Sequence, residues 1–509
     1  MGIRDIDDVA FHHILNKNFP DLVHFKIDRL IKINDYGYGN IFWLTYSILT
    51  LPFLLLAKLS PSLEFLAIAS PREIALIFGF LSVFIFYKIL GFFFKSEFSK
   101  LIVTLIFVSF PVFAWLTMKF GTGTFLMFLS LSTFYLTLKY QNNLNKKNIA
   151  KIATCAAACC ATKLNGFFLM PVIILIIANR LRYQIHRENM ALSWTFVWRF
   201  IIFWTLFTLP ALFLSPFKPQ YLTKFLETIG HFSSTTSSSS GLNLTTTEYF
   251  RLGILDNFVS LPIFIILGLV TITKIIFTFK NKEKFGSDFL VFTTTILVTL
   301  LYLTHNIKLE PKFIANYFSA VSFLILLPLC LFENQKKFQK PFLLMIFLLH
   351  IFLSGTNIKN QYFQHFQSLN SSKTQELLKT QKQMERIVGN KNSYNKPIYA
   401  LADYRAIFAI SNLREGIYSA GSFENSNTLL DFAPNGFDYI VLHQDSVGFM
   451  KQEEFDQMIE NCNSEIANNR IKTRELEQNL INNNVFAGQK YEKVLEEGNI
   501  IMLKKLLIK

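Results

Sequence analysis

The chain has 509 residues, is 51% hydrophobic with 56 Phe, is only 17% charged, and carries a net charge of +15. That balance excludes an ordinary soluble protein, which would expose more charge over this length. The positive excess does not call for nucleic acid, because much of the Lys and Arg lies in short stretches between apolar runs, where a cytoplasmic membrane surface favours it.

Residues 1–40 are polar and hold no apolar run long enough to cross a bilayer. They contain the acidic pair Asp7 and Asp8, followed by His12 and His13. Adjacent carboxylates raise one another's pKa, so one can serve as a proton acceptor near neutral pH. An acidic pair equally suits a helix N-terminus, where the dipole favours it, and spacing alone leaves both readings open. Asn18-Phe19-Pro20 reads as a helix start. Leu22, Val23, Ile27, Leu30 and Ile31 then share one face. Such a helix can lie in the membrane interface and hold the acidic pair at the height of a lipid phosphate.

Runs of about 18 or more apolar residues read as membrane spans. Candidates fall at 41–59, 72–94, 101–118, 121–138, 150–178, 197–214, 258–279, 286–304, 312–332 and 341–356, the last being short. The polar stretch 215–257 interrupts the series and carries the run Ser233 to Ser240, rich in Ser and Thr. It reads as a surface loop, placed where a cover over a membrane cavity could sit.

Charges inside spans are costly and are functional candidates by default. Lys163 sits in the middle of 150–178, whereas Lys88 lies near a span end and can reach the interface along its alkyl stem. Arg72 and Glu73 open a span and can mark its boundary. His305-Asn306-Ile307-Lys308-Leu309-Glu310-Pro311-Lys312-Phe313 reads either as a solvated turn or as a cationic lip for phosphate, with Glu310 orienting a lysine. Cys155, Cys159 and Cys160 lie among alanines on one helix and read as small packing residues. No disulfide framework, zinc spacing or cleavable signal peptide is visible.

Residues 357–509 read as a small α/β domain. Strands are expected at 397–401, 416–420 and 437–442, a helix over 452–483, and a hairpin joining 491–495 to 500–503 through Glu497-Gly498-Asn499. The domain carries no Gly-rich phosphate loop and no nucleophile motif.

Lys and Arg counts place 179–199, 280–284 and 333–340 in the cytoplasm, and therefore 215–257, 305–311 and the C-terminal domain outside. The first half is ambiguous. If 150–178 breaks at Thr162-Lys163-Leu164-Asn165-Gly166 and crosses twice, residues 1–40 fall inside. If it crosses once, they fall outside, beside the C-terminal domain.

Taken in order, these elements resemble the GT-C superfamily of membrane glycosyltransferases. The nearest likeness is to glycosyltransferase family 39, with the protein O-mannosyltransferases and the lipid A aminoarabinose transferases. Asp7-Asp8-Val9-Ala10-Phe11 resembles the family's acidic pair, with Asp in place of Glu. Asp35-Tyr36-Gly37-Tyr38-Gly39-Asn40 is similar to its aromatic, Gly-rich approach to the next span, and Arg72 to an Arg opening the span after. The alanine-rich helix ending in Thr162-Lys163 and followed by Gly166, then Lys312-Phe313 with Pro328 beyond, complete the pattern. Two features depart from it. Lys119-Phe120-Gly121-Thr122-Gly123 lacks the acid that many relatives carry there, and the span that precedes the acidic pair in such families is not in this sequence. A start site placed too late or a truncated gene is the expected explanation.

The resemblance implies an α-helical polytopic membrane protein with a GT-C-like helical bundle and a small extracytoplasmic α/β domain, in the inner membrane. It implies inverting transfer of a sugar from a polyprenyl-phosphate donor to a lipid, glycan or protein acceptor, without metal, cofactor or nucleic acid. Asp7, helped by Asp8, would act as general base. Lys163, Lys312, Lys308 and Arg72 would bind the donor phosphate. The competing reading is a polytopic lipid or sugar transporter or flippase, which would need coupling acids within spans and a repeat between halves.

Overall fold

The computed structural model describes residues 40–59, 63–162 except 118, 119 and 142, then 198–206, 336–369 and most of 437–506, with shorter stretches between. It divides into two compact units, one within 40–364 and the other within 365–509.

In the first unit the apolar runs are helices: α1 (Asn40–Leu59), α2 (Glu64–Leu90), α3 (Glu97–Val108), α4 (Pro111–Thr117), α5 (Thr122–Tyr140), α6 (Lys146–Thr162) and α7 (Lys336–Leu369). One stretch among the described residues, Ala69–Leu90, is long and apolar enough to cross a membrane, and Ile41–Leu56 and Lys340–Thr356 are shorter apolar helices. At 1.5 Å per residue, α2 is about 40 Å long and α7 about 51 Å. Both exceed the sequence expectation. α2 begins eight residues before 72, because Glu64-Phe65-Leu66-Ala67 are good helix formers and Pro71 is accommodated inside the helix. α7 runs past the apolar run 341–356 through polar residues to Leu369.

The expected span 101–118 is two helices. α3 is capped by Ser96, whose side chain accepts from the Ser99 N–H, and it ends at Ser109, ahead of Pro111. α7 packs against this break, where buried His350 meets the Phe110 ring edge-on at 5.5 Å between centroids. Its Nδ1 lies 3.3 Å from the Ser354 hydroxyl.

α2 and α5 run parallel. Phe78 meets Phe125 at 4.8 Å between ring centroids, and fourteen residues on from Phe78, Phe92 meets Tyr135 at 5.9 Å. α1 is antiparallel to α2, with Tyr46 beside Phe78 at 6.1 Å. That register sets Asn40, the first described residue of α1, level with about Phe84, roughly 9 Å before the end of α2. The core beneath is aromatic, with Phe86 stacked on Phe107 at 4.3 Å and Phe107 edge-on to Phe113 at 5.2 Å. Buried hydroxyls bond back to their own helices: Ser82 to the Phe78 carbonyl, Thr133 to Leu129 and Thr137 to Thr133. Ile77, Phe80 and Phe84 form an exposed apolar stripe on α2.

α6 spans Lys146–Thr162, and Gly166 lies against its last turns. A Cβ on Gly166 would lie 2.5 Å from the carbonyl carbon and oxygen of Cys159. A continuous helix would carry Gly166 about 10 Å beyond Cys159 along the axis. Gly166 therefore does not continue α6 as one straight helix, so 150–178 is not a single unbroken α-helix. Gly166 has no side chain, which lets it sit directly on that peptide.

The second unit is a six-stranded mixed sheet in the order β2-β1-β3-β6-β5-β4. Its strands are β1 (Ile398–Ala402), β2 (Ile417–Ala420), β3 (Tyr439–His443), β4 (Val485–Phe486), β5 (Gln489–Glu497) and β6 (Ile500–Lys505). β1 is parallel to β2 and β3, and the remaining pairs are antiparallel. Helices α8 (Gln452–Glu460) and α9 (Ser464–Asn483) replace the single helix expected over 452–483. Alternate residues Ile440 and Leu442 of β3 bury one face against Leu480 of α9, with Phe437, Phe486 and Tyr491. Glu477 of α9 accepts from the Gly448 N–H at 2.7 Å, and Arg474 donates to the Met450 carbonyl at 3.0 Å over the Phe455 ring. These contacts clamp the turn after β3 to the helix.

Candidate functional site

Of the six residues singled out in the sequence, Arg72 lies among the described residues. Asp7, Asp8, Lys163, Lys308 and Lys312 lie outside them. Arg72 is the ninth residue of α2, not its first, and is only 7% exposed. It is a buried cation in the first turn of the apolar stretch Ala69–Leu90, on the same helix as buried Ser70. Lys163 is bracketed by Thr162, which is fully buried and donates to the Ala158 carbonyl at 2.8 Å, and by Gly166 on the final turn of α6.

Further along α2 the packing becomes close. Ala75, Gly79 and Ser82 follow at helical spacing, and a Cβ on Gly79 would stand 2.5 Å from the Thr117 methyl. Thr117 in turn donates to the Phe113 carbonyl at 2.9 Å. Thr124, in the first turn of α5, donates to the Leu116 carbonyl at 2.6 Å and ties α5 to the end of α4. The stretch from Phe120 to Thr124 is therefore a buried aromatic and threonine corner. Tyr46 of α1 fills it, with ring centroids 5.1 Å from Phe120, 4.7 Å from Phe42 and 6.2 Å from Phe125.

Tyr46 and Ser47 are fully enclosed, and neither hydroxyl has a hydrogen-bond partner among the described residues. Sequence reading missed this polar face of α1, although Trp43, Tyr46, Ser47 and Thr50 stand at the i, i+3, i+4, i+7 spacing of a helical stripe. Cys155 and Cys159 of α6 pack against α5: Cys159 lies 3.5 Å from the Thr133 hydroxyl, and Cys155 lies 3.6 Å from the Leu129 carbonyl. Among the described residues no group of His, Cys, Asp or Glu could hold a metal.

A bundle of apolar helices with broken segments, followed in the chain by a small mixed sheet, has a counterpart among solved structures. Two crystal structures of ArnT from Cupriavidus metallidurans share the arrangement. The one bound to undecaprenyl phosphate superposes with a TM-score of 0.59 at 10% identity, over 99% of this chain and 94% of that one. The apo form gives 0.56 at 10% identity, over 99% and 93%. At that identity the likeness is one of fold. No family model matches the chain, and no curated protein does.

Proposed function

We propose that this chain is an integral inner-membrane glycosyltransferase that takes its sugar from a polyprenyl-phosphate donor and delivers it, with inversion, to an extracytoplasmic acceptor. The observation that carries the reading is a fold shared end to end with an enzyme whose structure holds undecaprenyl phosphate. The exposed Ile77, Phe80 and Phe84 stripe on a helix of spanning length supports a lipid setting.

In the proposed reaction an acceptor hydroxyl attacks the sugar's anomeric carbon while the bond to the phosphate oxygen breaks on the opposite face. Asp7, with Asp8 beside it, takes the hydroxyl proton. The electron pair leaves with the polyprenyl phosphate, and fixed cations oppose the charge that develops there. Arg72, Lys163, Lys308 and Lys312 are assigned that role.

The scheme needs the acidic pair and Arg72 on the outer side. Lysines 88, 95, 100, 139, 146, 147 and 151 gather at the ends of α2 and α5 away from Arg72, which favours that end as cytoplasmic. α2 then starts outside. Two crossings by 150–178 would by themselves put residues 1–40 inside. The scheme therefore requires the chain before Asn40, the first described residue of α1, to return to the outer side.

Detergent-purified protein given a panel of undecaprenyl-phosphate sugars should release undecaprenyl phosphate from at least one. Asp7→Asn should lower that turnover by about 10² or more while donor binding persists. Arg72→Ala should weaken donor binding as well. Donor moved between leaflets of a vesicle without release, or full turnover by Asp7→Asn, would overturn the assignment.

A further inference from the structure

We propose that the lysine-rich end of the helical unit holds the phosphate headgroup of an anionic phospholipid, in a site built from Lys139, Tyr140 and Lys151. This inference is independent of the sugar-transfer reading. The Lys139 ammonium lies 5.5 Å from the centroid of the Tyr140 ring and the Lys151 ammonium 5.2 Å from it. Lys151 also donates to the Tyr140 hydroxyl at 3.4 Å. Two like charges thus converge on one ring, and neither has an acidic partner among the described residues.

Nor is an acid available nearby in the chain. Glu97 is the one acidic residue between Phe84 and Lys151, against eight lysines over the same stretch. Glu97 is already engaged by Lys100 and by the Tyr87 hydroxyl. The Tyr140 oxygen accepts from Lys151, which leaves its own proton to donate. Two ammonium groups and one hydroxyl donor suit a phosphate, whose oxygens accept from all three.

The surroundings select a lipid over a free anion. Lys139 also lies over Tyr135 at 5.7 Å, and Tyr135 meets the exposed ring of Phe92. An acyl chain leaving a headgroup at Lys139 can lie along Phe92 and onward to the exposed Phe84. Lysine and tyrosine at the boundary of an apolar bundle are what the negatively charged inner leaflet attracts.

The test uses the full chain in neutral detergent, titrated with phosphatidylglycerol or phosphatidylcholine and read by native mass spectrometry. Phosphatidylglycerol should bind at least tenfold tighter. Lys139→Gln with Lys151→Gln should weaken phosphatidylglycerol about thirtyfold, at roughly 1 kcal/mol per lysine, and leave phosphatidylcholine unchanged. Tyr140→Phe should weaken it less, by about threefold. The charge-matched pair Lys472→Gln with Lys490→Gln, in the sheet unit, should change nothing. Equal binding of the two lipids, an equal loss in the control pair, or full displacement of the lipid by an equimolar amount of inorganic phosphate would overturn the site.

Discussion

The two units bury opposite things. The sheet unit hides Ile440, Leu442, Leu480 and Leu503 and turns most of its charges outward. The helical unit leaves Phe80 67% and Phe352 83% exposed, and buries Ser82, Ser130, Thr133 and Thr137. In water the first pattern is driven by removal of apolar surface. The second gains nothing from hiding Phe where the solvent is itself apolar, so close contact between small residues and self-bonded hydroxyls takes over. Gly79 against Thr117, Gly166 on the Cys159 peptide, and Cys159 beside Thr133 are the contacts that this logic produces.

The contrast breaks most severely at Gly166. Ala there would put its Cβ onto the backbone of Cys159 and Cys160, which cannot rotate away as a side chain could. Gly166→Ala should therefore abolish recovery of monodisperse protein. Gly488→Ala in the sheet unit is the matched control. It has a φ of +73° with open space around it, so only backbone strain of about 1 kcal/mol is expected. Equal recovery of both variants would mean that the α6 turn is not close-packed.

The direction of the contrast can be tested at Phe80. If its ring faces lipid, Phe80→Asp moves a carboxylate into hydrocarbon, which costs about 3 kcal/mol near mid-membrane. Membrane insertion of a reporter fusion should fall accordingly. If the helices formed a bundle in water, the same change at a 67% exposed position would be neutral. An unchanged insertion level would reverse the assignment of solvent to that face.

These same two logics decide what was legible in the sequence. Long apolar runs announced α1 and α5 to within two residues, since composition alone marks a helix in lipid. They failed where polarity and structure part company. α7 continues beyond Thr356 through Asn357, Lys359 and Asn360, and α2 starts upstream of Pro71, because helix hydrogen bonding does not stop where hydropathy does. The strands around Tyr399, Tyr418 and Ile440 showed by their β-branched and aromatic content. Their order did not, because the β1 pairing to both β2 and β3 is set by contacts far apart in sequence. At the site, residue types were readable and depth was not. Arg72 does stand near the start of the apolar stretch Ala69–Leu90, but its burial at the ninth position of a longer helix was not readable. The Tyr46 and Ser47 stripe was masked by the apolar residues among which it is set.

The smallest effect is also the one that separates the units most cleanly, because it concerns one hydroxyl. Tyr491 of β5 donates to the Phe437 carbonyl at 3.0 Å and accepts from the Phe437 N–H at 3.3 Å, closing the sheet unit's core over a sequence gap of 54 residues. Both bonds are made in competition with water, so Tyr491→Phe should cost about 1 kcal/mol. Burial pushes the phenol up from 10 to about 12. The native state then holds its proton where the unfolded chain has lost it. The stabilisation is complete below pH 10 and is lost as pH rises toward 12. Hydrogen exchange of the full chain should show faster opening of peptides from β3 and β5 across that window, and Tyr491→Phe should flatten the pH dependence while raising the baseline rate. A profile that stays steep in the variant would assign the alkaline loss to another group, and the Phe437 contact would then be packing alone.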